Sequence, residues 1–207
     1  PSDLIFRDGI SHPDLWLWDA WTCYSGEQLS LFTLALSRRQ HNGREIPPGA
    51  RNDFKFHIRR FSSSDDGVSW RDCGCYLGPS DAAGGVLSRN VWSGSAAPYN
   101  DSLLFGFTGV RQPNINRPFV QSICATLAPI DLSSPDSDDI IVLSDPSTEY
   151  DAIRAKGYYL GAKDTLGDAN GEDGGPILAW RDPFFLVGAE GGVDAFWSAK
   201  VGPTTPA

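Results

Sequence analysis

Short apolar runs with the length of β-strands recur along the chain and are separated by residues that favour turns. The composition agrees with this pattern, because 22 Gly and 15 Pro residues supply turns while helix-favouring Glu is scarce. These features exclude a helical bundle and predict an all-β fold. The predicted strands are Gln28–Leu36, Phe54–Phe61, Ser102–Val110, Phe119–Leu127, Ile140–Leu143, Ile177–Trp180, Phe184–Val187 and Val193–Lys200.

One segment, Thr148–Gly157, has the signals of a short helix. It begins with Thr and Glu, carries its basic residues late and ends at Gly. We predict about two helical turns there. The polar segments Pro135–Asp139 and Gly167–Gly175 are rich in Gly and Asp and are predicted to be loops.

The net charge of the chain is −9 at pH 7. A surface of this sign repels phosphate backbones, so we expect no nucleic-acid partner. No apolar stretch reaches the roughly 18 residues that a membrane helix needs, so we expect no membrane partner either. No His lies at metal-ligand spacing from a Cys, and we predict neither a metal site nor a cofactor. Free thiols are favoured, with one disulfide as the alternative, for Cys23, Cys73, Cys75 and Cys124.

The segment Ser63–Trp70 has the pattern Ser-x-Asp-x-Gly-x-x-Trp. In such a segment the Asp65 carboxylate can accept hydrogen bonds from the turn amides, and Gly67 can adopt a positive φ. The pattern resembles the Asp-box hairpin of many β-propellers. It predicts a structural role, with Trp70 anchoring the next strand.

Three further motifs combine aromatic and polar residues, and the first is Trp16–Trp21, which reads WLWDAW. Aromatic faces beside a carboxylate suit a sugar, because the rings cover the C–H face while the acid meets the hydroxyls or the anomeric carbon. The alternative is a Trp-rich end of a core strand, with Asp19 as its cap.

The second motif, Val91–Ala97, places small residues after Trp92. The backbone can then approach a ligand closely, and the Ser93 hydroxyl can donate a hydrogen bond to a carboxylate or to a sugar oxygen. A tight strand in a crowded core would have the same composition, so the motif alone leaves both interpretations open.

The third motif, Ala179–Pro183, places Arg181 beside Asp182 between two apolar segments. Charge in a buried strand is tolerated when it is paired or functional. A carboxylate kept ionised by Arg181 can accept two hydroxyl hydrogen bonds from one sugar. The alternative is a structural salt bridge at the end of a strand.

In this order and at this separation, the three motifs resemble the sucrose-acting fructosyltransferases of glycoside hydrolase family 68, the levansucrases and inulosucrases. The resemblance extends from Leu15 to Ala199. It implies a five-bladed β-propeller with a deep axial pocket. Residues 1–207 would form a single, incomplete catalytic domain of about three blades.

The resemblance also implies a retaining mechanism, in which a carboxylate attacks the fructosyl anomeric carbon and displaces glucose. Asp19 would be the nucleophile, and Asp182 would stabilise the transition state by gripping fructosyl hydroxyls. Arg181 would help to hold the sugar.

Three remaining residues of the motifs would complete the pocket. Trp18 and Trp92 would form its walls. Ser93 would donate a hydrogen bond to the nucleophile Asp19 and orient it.

Two features of the chain depart from the family pattern. Thr22 stands where the family usually has Pro. The glutamate that serves as general acid/base in the family has no match here, and we expect it beyond Ala207. Glu172, in a loop before the third motif, is the alternative that could reach the pocket rim.

These observations predict retaining β-fructofuranosyl transfer or hydrolysis on sucrose, with fructose passed to water or to a fructan acceptor. One alternative is another propeller glycosidase, such as an invertase or fructanase, an arabinanase-like enzyme or a sialidase. Another is a non-catalytic carbohydrate-binding propeller that lacks the acid. By the same resemblance, we expect an extracellular or periplasmic protein that is monomeric when complete.

Overall fold

The computed structural model describes residues 10–80, 84–112, 120–166 and 179–207. Its elements are almost all antiparallel β-strands, as the turn-rich sequence predicts. In chain order they are β1 (Leu15–Ser25), β2 (Gln28–Ser37), β3 (His57–Ser63), β4 (Arg71–Leu77), β5 (Asn90–Tyr99), β6 (Ser102–Arg111), β7 (Val120–Pro129), β8 (Ile141–Ser144), α1 (Tyr150–Ala155), β9 (Arg181–Val187), β10 (Val193–Ser198), β11 (Lys200–Gly202) and β12 (Thr205–Pro206).

Sequential strands pair into meanders. Strands β1-β2-β3-β4 form one four-stranded sheet, the first blade, and β5-β6-β7-β8 form another, the second blade. Strands β9 and β10 form a two-stranded third sheet, and β11 pairs with β12. Tight turns make this order possible. The β1–β2 turn begins with Gly26, which has φ of +59°, and the β5–β6 turn begins with Asn100, which has φ of +51°. The all-β prediction is confirmed. Where about three blades were predicted, the structure has two four-stranded blades and a two-stranded third sheet.

Most predicted strands are present with shifted ends. The run Phe54–Phe61 begins as a strand only at His57, and a 3-10 turn over Pro48–Asp53 precedes the run. Strands β1 and β5 contain the first two motifs and are not among the predicted strands. Strand β4 has no counterpart among them either, since its sequence RDCGCYL lacks an apolar alternation. Of the run Ile177–Trp180, the first two residues lie outside the described residues, and Ala179 and Trp180 lead into β9 without joining it.

The predicted helix is also present, as the six residues of α1. Gly157, with φ of +93°, follows its end. Tyr150 and Ile153 bury the inner face of the helix. No helix among the described residues is long and apolar enough to cross a membrane. All four cysteines are free.

The segment Ser63–Trp70 forms the turn between β3 and β4 and has the hydrogen bonds that its pattern predicts. The Asp65 carboxylate accepts from the amide of Ser69 at 2.9 Å and from its hydroxyl at 2.6 Å. Gly67 has φ of +88°, and a Cβ there would lie 3.3 Å from the Trp70 ring. The positive φ therefore favours glycine, and the Trp70 ring leaves little room for a side chain there.

The main core lies between the first and second blades. Phe32 on β2, Tyr76 on β4 and Phe105 on β6 meet edge to face, with ring centroids 4.9–5.0 Å apart. Phe185 of β9 packs on the second blade at Gly106, where a Cβ would lie 2.3 Å from its ring. The absence of a side chain at Gly106 therefore lets the third sheet approach the second blade.

Candidate active site

The first strands of the two blades and of the third sheet, β1, β5 and β9, are each interrupted by a β-bulge that carries a polar residue of one predicted motif. In β1, Trp18 pairs with Leu34 and Trp21 pairs with Phe32, so Asp19 and Ala20 together oppose one residue of β2. Bulges bend a strand and redirect its side chains, and they are common beside active sites. Asp19 has φ of +48°, a conformation that Asp tolerates better than most residues.

The bulge of β9 repeats that of β1. Arg181 pairs with Ser198 and Phe184 pairs with Phe196, so Asp182 and Pro183 oppose one residue of β10. Asp182 has φ of +58°, close to the value at Asp19. Because a bulge residue is not needed for the ladder, proline is tolerated there. The two aspartates therefore occupy equivalent positions in two different sheets.

Strand β5, between them, carries the third bulge. Trp92 pairs with Thr108 and Gly94 pairs with Phe107, so Ser93 is the extra residue. A Cβ at Gly94 would lie 2.1 Å from the carbonyl oxygen of Gly106. The small residue that follows the bulge is thus required by the close approach of two strands.

Strands β1, β5 and β9 lie side by side, so their bulges open into one cavity of about 400 Å³. The structure therefore brings together all six residues that the motifs predicted. The cavity lining comprises Trp18, Asp19, Trp92, Ser93, Arg181 and Asp182, together with Leu34, Arg51, Asn52 and Phe56.

One predicted contact is wrong. Ser93 was expected to orient Asp19, but its Oγ donates to Oδ1 of Asp182 at 2.7 Å. A hydroxyl has a single hydrogen, so this bond commits the donor to Asp182. Strand β5 lies between β1, which carries Asp19, and β9, which carries Asp182. Its bulge residue can turn toward either aspartate, so only the tertiary structure decides which one Ser93 contacts.

Arg181 contacts both the acid and an aromatic wall of the cavity. Its Nε lies 3.4 Å from Oδ2 of Asp182, and its guanidinium lies 5.6 Å from the centroid of the Trp92 ring. The salt bridge of the alternative interpretation is therefore present, but it lies in the cavity and not in a closed core. A guanidinium in this place supplies positive charge beside the carboxylate.

The three Trp residues of the first motif have three different environments. Trp18 meets Phe56 edge to face at 5.0 Å and lines the cavity. Trp16 lies under the guanidinium of Arg38 at 4.0 Å. Trp21 stacks on Phe32 in the core at 5.9 Å. Trp18 thus lies where the sugar-site interpretation places it, and Trp21 packs in the core as the alternative predicts.

Sequence analysis missed Arg51 and Asn52, which the 3-10 turn Pro48–Asp53 brings to the cavity. The segment PPGARND reads as an ordinary turn, and only its cationic and amide side chains between two strands could have indicated a site. Thr108, which contacts the backbone of Ser93 and Asp182, was also missed.

No glutamate lines the cavity among the residues that the structure describes. Glu172, the alternative acid, lies outside those residues. Within the same described ranges, no group of three or more His, Cys, Asp or Glu side chains could hold a metal ion.

Comparison of the fold with solved structures finds several similar proteins. The chain aligns with an inulosucrase from Halalkalicoccus jeotgali bound to kestose with a TM-score of 0.60 and 21% identity, over 94% of this chain and 45% of that one. It aligns with a variant of levansucrase from Bacillus subtilis with a TM-score of 0.52 and 15% identity, over 91% of this chain and 42% of that one.

A third similar structure is Zg3597, a family 117 glycoside hydrolase produced by the marine bacterium Zobellia galactanivorans. Its TM-score is 0.48 at 12% identity, over 96% of this chain and 58% of that one. No family model and no curated protein matches the sequence. The chain spans less than half the length of the inulosucrase and of the levansucrase, and its fold is that of these β-propeller enzymes of glycoside hydrolase family 68.

Proposed function

We propose that the complete protein transfers or hydrolyses β-fructofuranosyl groups with sucrose as donor. The observation that carries this proposal is the convergence of Asp19 and Asp182, from equivalent bulges of two sheets, on one cavity. An oxocarbenium-like transition state requires carboxylates near the reacting carbon. Trp18 and Trp92 beside these acids supply the aromatic faces that sugar rings pack against.

In the proposed reaction, a carboxylate oxygen of Asp19 forms a bond to the anomeric carbon of the fructosyl unit. The bond from that carbon to the bridging oxygen of glucose breaks, and a general acid gives this oxygen its proton. Water or a fructan hydroxyl then attacks the same carbon, gives its proton to the conjugate base and releases Asp19. The acid/base would be a glutamate outside the cavity lining described above, Glu172 or one beyond Ala207.

Asp182 would act without forming a bond to the sugar. Its carboxylate is held by Ser93 at one oxygen and lies near Arg181 at the other. It would accept hydrogen bonds from fructosyl hydroxyls that strengthen as positive charge develops on the ring. Because Ser93 and Arg181 orient the carboxylate before substrate binds, little reorganisation is required during the reaction.

The test measures glucose and free fructose released from sucrose by the full-length protein. We expect release of both sugars, with fructose below glucose if transfer occurs. Asp19→Asn should lower kcat by about 10³-fold or more, because it removes the nucleophile. Asp101→Asn, in the exposed turn between β5 and β6, is the matched control and should behave as the wild type.

Near-normal turnover after Asp19→Asn would reject the role of Asp19. If the wild type releases no glucose, the alternatives follow from the substrate panel. Cleavage of inulin, arabinan or sialosides would identify another propeller glycosidase. Saturable sugar binding with no cleavage of any of them would identify a carbohydrate-binding protein.

A further inference from the structure

Thr108 is a fully buried residue of β6 whose hydroxyl bonds to two strands of the site. The amide of Asp182 on β9 donates to Thr108 Oγ1 at 2.8 Å. The same oxygen donates to the carbonyl oxygen of Ser93 on β5 at 3.2 Å. A hydroxyl can accept one hydrogen bond while donating another, so both bonds form together.

These bonds close a ring of contacts with the Ser93–Asp182 pair. Ser93 Oγ donates to the Asp182 carboxylate at 2.7 Å, while Thr108 holds the backbones of both residues. The backbone of Asp182 has φ of +58°, a conformation that persists only where the surroundings stabilise it. Thr108 therefore contacts the site at an acidic residue whose left-handed conformation needs support.

Two neighbouring contacts attach β9 and the residue before it to the second blade, on either side of Asp182. The amide of Trp180 donates to Gln121 Oε1 at 3.3 Å, and the amide of Phe185 donates to Ser95 Oγ at 3.1 Å. Gln121 and Ser95 are buried, like Thr108. Of these three acceptors, only Thr108 bonds to the acidic residue itself.

We propose that Thr108 is a positioning residue that fixes the backbone of Asp182 and, through Ser93, the direction of its carboxylate. The kinetic consequence of this inference rests on the proposed function, whereas the hydrogen bond to the Asp182 amide does not. An amide that loses its partner in this part-buried place carries a cost in free energy, so loss of the hydroxyl should loosen the bulge.

The test uses three variants of the full-length protein. Thr108→Val removes the hydroxyl at nearly constant volume, Thr108→Cys replaces it with a weak hydrogen-bonding group, and Thr108→Ser retains it. The matched control is Thr126→Val on β7, because Thr126 Oγ1 is buried in the same blade and has no hydrogen-bond partner among the described residues.

The first measurement is hydrogen–deuterium exchange of the peptide that contains Asp182. We expect Thr108→Val and Thr108→Cys to make exchange at least about tenfold faster than in the wild type, whereas Thr108→Ser and Thr126→Val should leave it unchanged. The second measurement is sucrose turnover, where Thr108→Val and Thr108→Cys should each lower kcat by about tenfold with KM within about twofold.

Wild-type exchange and wild-type kcat after both Thr108→Val and Thr108→Cys would overturn the proposal, as would equal losses after Thr108→Ser. If the protein with Thr108→Val does not fold, Thr108→Ser and Thr108→Cys, which introduce side chains of similar size, decide between the two outcomes. If the wild type does not cleave sucrose, the proposed function fails, and the exchange measurement still decides the role of Thr108.

Discussion

At the scale of single residues, the site is defined by two aspartates in left-handed backbone conformation. Asp19 and Asp182 have nearly the same φ and the same place in their bulges. Their surroundings differ, because Asp19 is exposed to the cavity whereas Asp182 is half-buried between Ser93 and Arg181. The exposure of Asp19 to the cavity suits a nucleophile, and the contacts of Asp182 with Ser93 and Arg181 suit electrostatic stabilisation.

The contacts of Asp182 predict a particular kinetic defect. Asp182→Asn keeps the size of the side chain but removes the charge that would balance the oxocarbenium-like transition state. We expect kcat for sucrose to fall by about 10³-fold, with KM changed much less. Steady-state kinetics of the full-length protein measure both constants. A rise in KM with normal kcat would instead indicate a role in ground-state binding only.

Replacing Ser93 should lower kcat as well, but by less than replacing Asp182. Ser93→Ala removes the donor at 2.7 Å from Asp182 Oδ1. A hydrogen bond to a charged group contributes about 1.5–3 kcal/mol, so kcat should fall by roughly tenfold to a hundredfold. Ser64→Ala, at an exposed position of the β3–β4 turn, is the control. Equal activity of the two alanine variants would contradict the positioning of Asp182 by Ser93.

At the scale of elements, the β3–β4 turn depends on one ionised side chain. Hydrogen bonds from the hydroxyls of Ser69 and Ser63, and then from the Ser69 amide, lower the pKa of Asp65 to about 2. The folded-state pKa is below the unfolded value of about 3.9, so the carboxylate stabilises the fold above about pH 4. This contribution is lost as the pH falls through the folded-state pKa.

The prediction is that Asp65→Asn lowers stability at neutral pH and flattens its decline between about pH 4 and pH 2. Urea denaturation midpoints across this range test the change. Asp101→Asn, in the exposed β5–β6 turn, is the matched control. Its urea midpoint should decline with falling pH as steeply as that of the wild type. The same slope after Asp65→Asn as after Asp101→Asn would show that the turn does not depend on the charge.

Contact between elements gives a second prediction at this scale. A Cβ at Gly106 would lie 2.3 Å from the Phe185 ring, and Phe185 is buried. Gly106→Ala should therefore displace β9 and destabilise the protein by about 1–3 kcal/mol. Gly192→Ala is the control, because nothing lies within 4 Å of a Cβ there. Equal urea midpoints of the two variants would contradict tight packing of β9 on β6.

At the scale of the whole molecule, the third sheet has one covered and one open face. Phe185 packs against the second blade, while Phe184, Leu186 and Phe196 are 57%, 51% and 55% exposed. Successive residues of a strand point to opposite faces, so Phe184 and Leu186 share the open face, and Phe196 pairs with Phe184. A contiguous apolar surface of this kind marks an interface or a site of aggregation.

The prediction is that the 207-residue chain, produced alone, self-associates through this face. Replacing Phe184, Leu186 and Phe196 by Ser should reduce association, because apolar area exposed to water is removed. Light scattering at increasing protein concentration measures the effect. The control replaces Val68, an 86% exposed residue of the β3–β4 turn, by Ser. A monomeric wild-type chain would contradict the prediction.

Much of the fold and of the site could be predicted from local sequence. The Asp65 turn formed as its pattern indicates, because its hydrogen bonds join residues at most four positions apart. The motif residues were identified because Trp, Asp and Arg are unusual in combination at a strand. Strand β4 was missed, since its exposed residues obey no apolar period. Arg51 was missed because the segment around it, PPGARND, reads as an ordinary turn.

The amino-acid sequence by itself determined the all-β class, many of the strands and turns, and the chemical groups that are available for a site. Only the tertiary structure decided that Ser93 bonds to Asp182 and not to Asp19, and that Thr108 holds the backbones of Ser93 and Asp182 together. The physical reason is that local propensities act over a few residues, whereas these contacts depend on the register of three bulges. That register is set by how neighbouring strands and sheets pack, through close approaches such as those at Gly94 and Gly106.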